Sequence, residues 1–484
     1  MNFETTPRES VEGPDSSPWH RGLTRYHWFV LAVAALGWLF DTMDQQLFNL
    51  ARRPAITELM RREPDQSVEL SASQKAEADE RAGKEINRYT GYATSIFMIG
   101  WALGGVAFGV LGDKIGRAKT MTITILIYSI FTGLSAFSQH FWDFALYRFL
   151  TGLGVGGEFA VGVALVAEVM PARARPYALG RLQALSAVGN MTAATIAIVL
   201  GKVESTGMVF SSWRVMFIIG TLPALLAIVI RRGLKEPETW VSAAKAEAKT
   251  GEVKLGSISE MFRDPRWRKN TIVGMLLAFS GVVGLWGIGF FSFDLIRLVY
   301  ENHFKSQNLS PEEIKGQLTS LTGYGSLVQN LGGFFGVEVF TRFTQKVGRK
   351  PAFAVAFPLA MVATAGTFLF MGKVAPGTWD VYWMLPIMGF CQMTLFGGYA
   401  IYLPELYPTR LRSTGTSFCY NVGRLVAAAG PLCLGLLTSD VFTGYPKNDP
   451  TPMRYAGLSM CLVFLVGLAV LPFAPETKGK PLPD

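Results

Sequence analysis

The sequence predicts an all-α membrane protein, with twelve transmembrane helices arranged as two pseudo-symmetric six-helix bundles. Half of the 484 residues are hydrophobic, only 17% are charged, and long apolar runs recur along the chain. Runs of about 20 residues match the hydrocarbon thickness of a bilayer. The pattern Glu-x-x-Pro-x-Arg-x-Arg occurs at residues 168–175 and again at 405–412, each time where an apolar run ends. Two related halves in so apolar a chain are typical of membrane proteins that move one half against the other.

The predicted helices follow the apolar runs, to within a few residues at each edge. They cover residues 27–48, 89–111, 119–138, 141–169, 178–201, 214–233, 271–297, 319–341, 351–372, 379–403, 414–438 and 452–473. The first bundle is expected at 27–233 and the second at 271–473, with a polar linker at 234–270 between them. Residues 1–26 and 474–484 form the tails. Residues 49–88 form a long solvated loop, in which 71–87 allow a short surface helix.

The net charge of +9 follows membrane topology rather than a nucleic-acid surface. Basic residues cluster in the loops at 114–119, 173–181, 342–350 and 410–412, whereas the opposite loops hold few. Basic loops stay on the cytoplasmic side of a membrane. We therefore expect cytoplasmic termini, a plasma-membrane location (the inner membrane in a bacterium) and no nucleic-acid partner. No cleavable signal peptide is visible in residues 1–26.

Enzymatic chemistry is not expected. The sequence shows no Ser/His/Asp set, no zinc-ligand spacing and no phosphate loop, so neither a cofactor nor a metal is predicted. The four cysteines all fall in predicted helices without metal-ligand spacing, which favours buried thiols. Because no nucleotide motif is present, any transport would be driven by an ion gradient.

A motif in the loop after the second helix adds specificity. It reads Gly-x-x-x-Asp-Lys-x-Gly-Arg at residues 109–117, and a weaker copy at 345–350 carries Gln345 where the first carries Asp113. Residues 148–158 read Arg-x-x-x-Gly-x-Gly-x-Gly-Gly-Glu, and residues 475–479 read Pro-Glu-Thr-Lys-Gly. With these motifs residues 27–475 resemble the major facilitator superfamily. The resemblance leans toward proton-coupled metabolite and organic-acid symporters and, at the tail, toward sugar porters.

Charged side chains inside predicted helices are costly and are therefore candidates for function. Asp41 and Asp44 lie three residues apart, on one face of the first helix. Two nearby buried carboxylates raise each other's proton affinity. We expect Asp44, assisted by Asp41, to bind the coupled proton, unless the two are a structural pair near the outer surface. The resemblance implies that Arg148 pairs with the first-helix aspartate. Glu158 is either a second proton site or a member of an ion pair within the first half.

The substrate candidates lie near the middle of predicted helices. Arg424 would need an anion there, either a substrate carboxylate or an internal partner. The other candidates are polar or aromatic: Asn421, Tyr420, Gln183, Asn190, Gln329, Asn330, Gln392 and Trp286. Each is otherwise explained by helix packing. These residues predict a small substrate that carries a carboxylate.

The loops that hold the repeated motifs are expected to form a cytoplasmic gate. Its candidate residues are Gly109, Asp113, Lys114, Gly116, Arg117, Glu168, Arg173, Arg175, Gly348, Arg349, Glu405, Arg410 and Arg412. The predicted function is secondary transport by a monomer in the bilayer, with proton and substrate moving together. The alternatives are a sugar or polyol porter, which the tail motif favours, and a nutrient sensor that does not transport.

Overall fold

The computed structural model describes residues 18–60, 72–204, 210–250, 254–427, 430–446 and 449–483. Within these ranges the chain is helical and has no strand. Ten helices of the described chain are long and apolar enough to cross a membrane. Two further helical segments, Pro311–Val347 and Arg412–Ala427, lie where the eighth and eleventh spans are predicted. The all-helical fold in two bundles agrees with the prediction from the sequence.

In the part of the chain that the structure describes, the first half and the linker contain nine α-helices. They are α1 (Arg25–Leu59), α2 (Ala72–Ile115), α3 (Arg117–Ser135), α4 (Phe141–Val169), α5 (Arg175–Glu204), α6 (Ser212–Ile219), α7 (Ala224–Gly233), α8 (Glu238–Thr250) and α9 (Ile258–Arg263). Helices α6 and α7 together form the sixth predicted span, which Pro223 interrupts. Helices α8 and α9 lie in the linker.

The second half contains nine more. They are α10 (Pro265–Val282), α11 (Ser292–Lys305), α12 (Pro311–Val347), α13 (Arg349–Phe370), α14 (Trp379–Glu405), α15 (Arg412–Ala427), α16 (Gly430–Leu436), α17 (Thr451–Met460) and α18 (Val463–Val470). A π-helical segment, Val283–Ile288, and a 3₁₀ turn, Gly289–Phe291, join α10 to α11. Short irregular turns of this kind often mark functional sites in helices.

The expected loop at 49–88 is largely helical where it is described. Helix α1 continues to Leu59, past Pro54, and α2 begins at Ala72. Polar residues can extend a helix beyond the bilayer because water satisfies the exposed carbonyl groups. The Arg52 side chain also donates a 2.9 Å hydrogen bond to Thr94, which joins the extension of α1 to α2. Only residues 61–71 of the expected loop lie outside the described chain, as do residues 1–17 of the N-terminal tail and residue 484.

The two halves meet mainly where α2 packs against α15 and α5 packs against α12. Gly109 of α2 faces α15 so closely that a Cβ atom there would overlap the Ser417 side chain. The hydroxyl of Ser417 in turn donates to the Gly105 carbonyl. Small residues let two helix backbones approach in this way. The line of contact between the halves therefore runs through residues 105–117, which include the motif predicted at 109–117.

Candidate functional site

A polar cleft lies between the halves at mid-height. Tryptophan, phenylalanine and tyrosine rings alternate around it with side-chain amides. Its lining includes Trp38, Gln45, Gln183, Asn190, Trp286, Gln329, Asn330, Phe396, Tyr420 and Arg424. The cleft has a volume of only ≈ 90 Å³, whereas small-molecule sites usually measure about 300–1,000 Å³. The halves must therefore part slightly before a metabolite fits.

Arg424 is the only cation among the described residues that line this cleft. Its guanidinium lies over two aromatic rings, 3.8 Å from the centre of Trp101 and 4.3 Å from that of Tyr420. It donates a 3.1 Å hydrogen bond to Asn421, while its Nε atom is buried without a hydrogen-bond partner in the described chain. Cation–π attraction to the two rings holds the guanidinium in place. Its Nε–H group is left to bind an anion, preferably a carboxylate.

Asp41 lies in the first half next to this cation. Both of its carboxylate oxygens are buried without a hydrogen-bond partner among the described residues. Asp41 interacts electrostatically with Arg424 and with Glu158. Glu158 accepts a 3.0 Å hydrogen bond from Thr124, and it lies against the backbone of Gly37, one turn before Asp41. The centre of the molecule therefore holds two neighbouring buried carboxylates, and one of them, Asp41, interacts with Arg424.

Asp44 faces a different partner. It accepts a 2.6 Å hydrogen bond from Thr132, and its other oxygen lies 3.9 Å from Arg148 Nη1. At that distance Asp44 and Arg148 form an ion pair without a direct hydrogen bond. Arg148 instead donates to Ser135 at 2.8 and 3.0 Å, and its guanidinium lies 4.6 Å from the Phe217 ring. Both charged groups are fully buried. A loose, dry pair of this kind can be weakened by adding one proton to the carboxylate.

At one end of the bundles, which we call the basic end, the first copy of the loop motif crosses between the halves. Asp113 accepts hydrogen bonds from the Ser413 and Thr414 amides and a 2.6 Å bond from the Thr414 hydroxyl. Because these donors stand at the start of α15, the carboxylate also satisfies the amides of a helix N-terminus. Asp113 is held on its own side by a 2.9 Å ion pair with Arg117.

Glu168 completes this crossing. It accepts from Arg117 of its own half and from Arg412 of the other half, both at 2.9 Å. Arg117 also donates to the Thr409 carbonyl of the second half at 2.7 Å. Glu168 and Arg117 are fully buried, and Arg412 is nearly so. Together these bonds close the basic end of the cleft.

The glutamate of the second copy, Glu405, pairs within its own half, although Arg412 of the same copy crosses to Glu168. Arg349 donates to Glu405 at 2.9 and 3.1 Å, and Glu405 accepts a 2.5 Å bond from Thr477 of the tail. Gly116 and Gly348 adopt matching left-handed conformations, with φ of 112° and 103°. An acidic residue then caps the helix that follows each glycine. Glu236 accepts from the amides of Arg117, Ala118 and Lys119, and Glu476 accepts from those of Arg349 and Lys350.

The structure gathers most of the predicted substrate residues but not all of them. Gln392 does not line the cleft, because its amide donates to Thr364 and to the Gly284 carbonyl. Asn421 acts on Arg424 instead of lining the cleft. Across the cleft, Asn190 donates a 3.0 Å hydrogen bond to Asn330 of the other half.

Among the remaining gate candidates, four side chains lie apart from the crossing. Arg175 donates to the Ala167 carbonyl of its own loop, Arg410 donates to Glu260 of α9, and Lys114 is exposed. Arg173 is also exposed. A repeated sequence motif therefore does not imply that each of its charges has the same role.

Several site residues were missed from the sequence. Gln45 and Gln46 directly follow Asp44, so a polar run in an apolar helix could have indicated them. Trp38 lies one turn before Asp41, and that position was weaker evidence that it lines the site. Nothing in the sequence indicated Trp101, since only the rotation of α2 places its ring on Arg424.

Two helical bundles that enclose a polar cleft, closed at one end by ion pairs between the bundles, define a membrane transporter rather than an enzyme. The chain belongs to the Major Facilitator Superfamily, whose family model matches residues 82–431. Its fold is that of the superfamily, because the proton:xylose symporter XylE, solved with 6-bromo-6-deoxy-D-glucose, superimposes with a TM-score of 0.67. That similarity covers 94% of this chain and 98% of XylE at 17% identity.

Two curated relatives align over most of the chain. A putative metabolite transport protein of Haemophilus influenzae is 30% identical over 389 residues, which are 80% of this chain and 86% of the relative. The cis,cis-muconate transport protein of Acinetobacter baylyi is 29% identical over 354 residues, which are 72% of this chain and 78% of the relative.

Proposed function

We propose that the protein is a proton-coupled symporter of a small carboxylate-bearing metabolite, working as a monomer by alternating access. The observation that carries the proposal is Arg424, a buried cation in contact with two aromatic rings at the central cleft. The name of the relative that transports cis,cis-muconate, a dicarboxylate, supports this substrate class. The surrounding aromatic rings suit a planar acid, and the side-chain amides suit its remaining polar groups.

In this proposal the proton binds at Asp44. Protonation removes the charge that faces Arg148 across 3.9 Å, so that Arg148 relies on Ser135 and the Phe217 ring instead. Asp41 assists because it stands three residues away and close to Arg424. A substrate carboxylate that approaches Arg424 repels the Asp41 charge and thereby favours binding of a proton. Glu158 serves as a second carboxylate for the same purpose.

The basic end is the cytoplasmic end in this proposal, because Lys and Arg are retained on that side. The crossing of Asp113, Arg117 and Glu168 to α15 then forms a closed inner gate. In this proposal the structure represents a state that is closed toward the cytoplasm. Both termini lie in the cytoplasm, and the plasma membrane, or the inner membrane of a bacterium, is the expected location.

Sugar or polyol transport is the second candidate, because seven side-chain amides line the cleft in the described chain: Gln45, Gln46, Asn49, Gln183, Asn190, Gln329 and Asn330. Amides hydrogen-bond hydroxyl groups well. An aldose, however, leaves the Arg424 cation without a counter-charge. A sensor that does not transport is excluded if any flux is observed.

The test is uptake into proteoliposomes with an imposed pH gradient, inside alkaline. We would compare labelled cis,cis-muconate, benzoate, a sialic acid and xylose. Accumulation of one of the acids that collapses with a protonophore supports the proposal. Accumulation of xylose alone, or uptake of an acid that ignores the pH gradient, overturns it.

A further inference from the structure

A second cavity lies at the basic end, away from the central cleft. It has a volume of ≈ 600 Å³, which falls in the range of about 300–1,000 Å³ usual for small-molecule sites. The first turns of α10, the end of α14 and the C-terminal residues 474–483, which we call the C-terminal strap, enclose it.

Hydrogen bonds hold the walls of this cavity in place. Within the strap, the Pro475 carbonyl accepts a 2.8 Å hydrogen bond from Tyr402, and Lys478 donates to the Lys346 carbonyl at 2.7 Å. The last described residue, Pro483, accepts a 3.4 Å bond from Arg412. The strap is therefore fixed along its length to the second half.

Three cationic side chains line the cavity: Arg266 and Lys269 of α10 and Lys480 of the strap. No ion pair joins any of them to an acid in the described chain. Arg266 stacks on its neighbour Trp267, with the guanidinium 4.5 Å from the ring centre. Lys269 and Lys480 are exposed to solvent where they line the cavity. Unpaired cations that converge on a concave surface attract anions.

The two carboxylates in the same wall do not neutralise these cations. Glu405 is occupied by Arg349 and Thr477. Burial alone would raise the pKa of Glu476, but the amides of Arg349, Lys478, Lys350 and Thr477 donate to it and hold its pKa below the ordinary value. Each acid thus has its own donors, and the excess of positive charge remains on the cavity.

We propose that this cavity binds a phosphate-bearing anion between α10 and the C-terminal strap. A phosphate group offers several strong acceptor oxygens and up to two charges, which suits three cations better than a single carboxylate does. The source is either the headgroup of an anionic phospholipid or a free phosphate compound. Because the strap contacts Arg412, which also holds Glu168 of the first half, a bound anion would strengthen the closed basic end.

The test uses the purified full chain and two probes. Inorganic pyrophosphate is titrated while the melting temperature is followed, with KCl at equal ionic strength as the salt control. Phosphatidylglycerol binding is measured separately, by native mass spectrometry against phosphatidylcholine. We expect at least one probe to bind the wild type. The double variant K269Q/K480Q should bind that probe about tenfold or more weakly, because it loses two charge-assisted contacts.

The matched control is K245Q/K249Q, which removes two exposed lysines of α8 from the linker, outside the cavity. It should bind like the wild type. If K269Q/K480Q fails to fold, Lys269→Gln alone should weaken binding while Lys269→Arg retains it. Binding of pyrophosphate alone indicates a soluble ligand, and binding of phosphatidylglycerol alone indicates a lipid. Equal binding by both double variants, or no binding of either probe to the wild type, overturns the proposal. Neither readout depends on transport, so a failure here does not affect the proposed symport.

Discussion

The two halves carry the same loop motif but use it differently. The first copy reaches across the interface, since Asp113 holds the start of α15 and Glu168 holds Arg412. In the second copy, Arg412 provides that contact with Glu168, but Glu405 binds Arg349 and Thr477 of the C-terminal strap, both in its own half. The glutamate of the first copy thus forms a buried ion pair between the halves, whereas the glutamate of the second forms one of similar length within a single half. The two copies share a sequence motif, and the side chains that surround each copy determine whether it contributes to a gate.

The same contrast holds at the centre of the molecule. The first half provides the carboxylates Asp41, Asp44 and Glu158, whereas the second half provides Arg424. At the position of Arg424 the first half has Asn190. Under the proposed function, the first half handles the proton and the second half holds the anion. Each prediction below tests one side of this division.

The largest effect is expected from Asp44→Asn in the first half. Asparagine imitates the protonated carboxyl and cannot release a proton, so accumulation driven by a pH gradient should fall to the level measured without a gradient. Exchange of internal for external substrate should persist, because it needs no net proton movement. Proteoliposome uptake and counterflow measure the two processes. Accumulation that survives in this variant would show that another group carries the proton.

In the second half, the substitution Arg424→Lys should strongly weaken substrate binding. Lysine keeps the charge but loses the planar fork and the stacking on Trp101 and Tyr420. We expect a loss of about 1.5–3 kcal/mol, or roughly 10–100-fold in KM for the acid. The matched variant Asn190→Ala removes one hydrogen bond to Asn330 and should cost about 1 kcal/mol or less. Equal losses in the two variants would contradict the division between the halves.

Glu168→Gln and Glu405→Gln compare the two loop copies directly. Removing one partner of a buried pair costs about 3–5 kcal/mol in either half. In Glu168→Gln that cost falls on the closed state, so the population with an open basic end should rise by about tenfold or more. In Glu405→Gln it should lower the melting temperature and leave the balance between the two states unchanged.

A cysteine in place of Ser186, which lines the cleft, would report the balance between the closed and open states of the basic end. Its labelling by an impermeant maleimide can be compared from each side of vesicles, in a background where exposed Cys433 is replaced by serine. Faster labelling from the basic end in Glu168→Gln alone is the expected result. The same change in both variants would mean that both copies act as gates.

The fold could be predicted because the cost of burying polar backbone in a bilayer leaves few choices. Long apolar runs and a doubled motif were therefore enough to predict two helical bundles. The pairing of Asp44 with Arg148 was also expected, through the resemblance to a known family, and the structure places the two side chains 3.9 Å apart.

Rotation of the helices about their own axes could not be predicted. The central helix α4 is apolar on nearly every side and buried along most of its length, so its sequence does not indicate which face meets the cleft. Gln392 illustrates the consequence, since a polar residue in the middle of a span turned out to bind Thr364 within its own half. Likewise, identical motifs at 168–175 and 405–412 gave no indication that a threonine of the tail would bind Glu405.

The smallest effect is expected from the caps that follow the two loop copies. Glu476→Gln should destabilise the protein by about 0.3–1 kcal/mol at neutral pH, because an anion at the start of α13 is lost. The folded-state pKa of Glu476 lies below its ordinary value despite partial burial, owing to four backbone donors. Its contribution is therefore present above the ordinary pKa and is lost as the pH falls through the folded-state pKa. The difference in melting temperature between wild type and variant should stay constant from pH 7 down to the ordinary glutamate pKa of 4.5, and then shrink as the pH falls through the lower folded-state pKa.

In Glu236→Gln the cap of α3 is lost next to the crossing that joins the halves. That variant, unlike Glu476→Gln, should also speed labelling at Ser186→Cys from the basic end, because Arg117 is held by the cap and by Glu168 together. A shift of the same size in both variants would place the second cap in the gate as well.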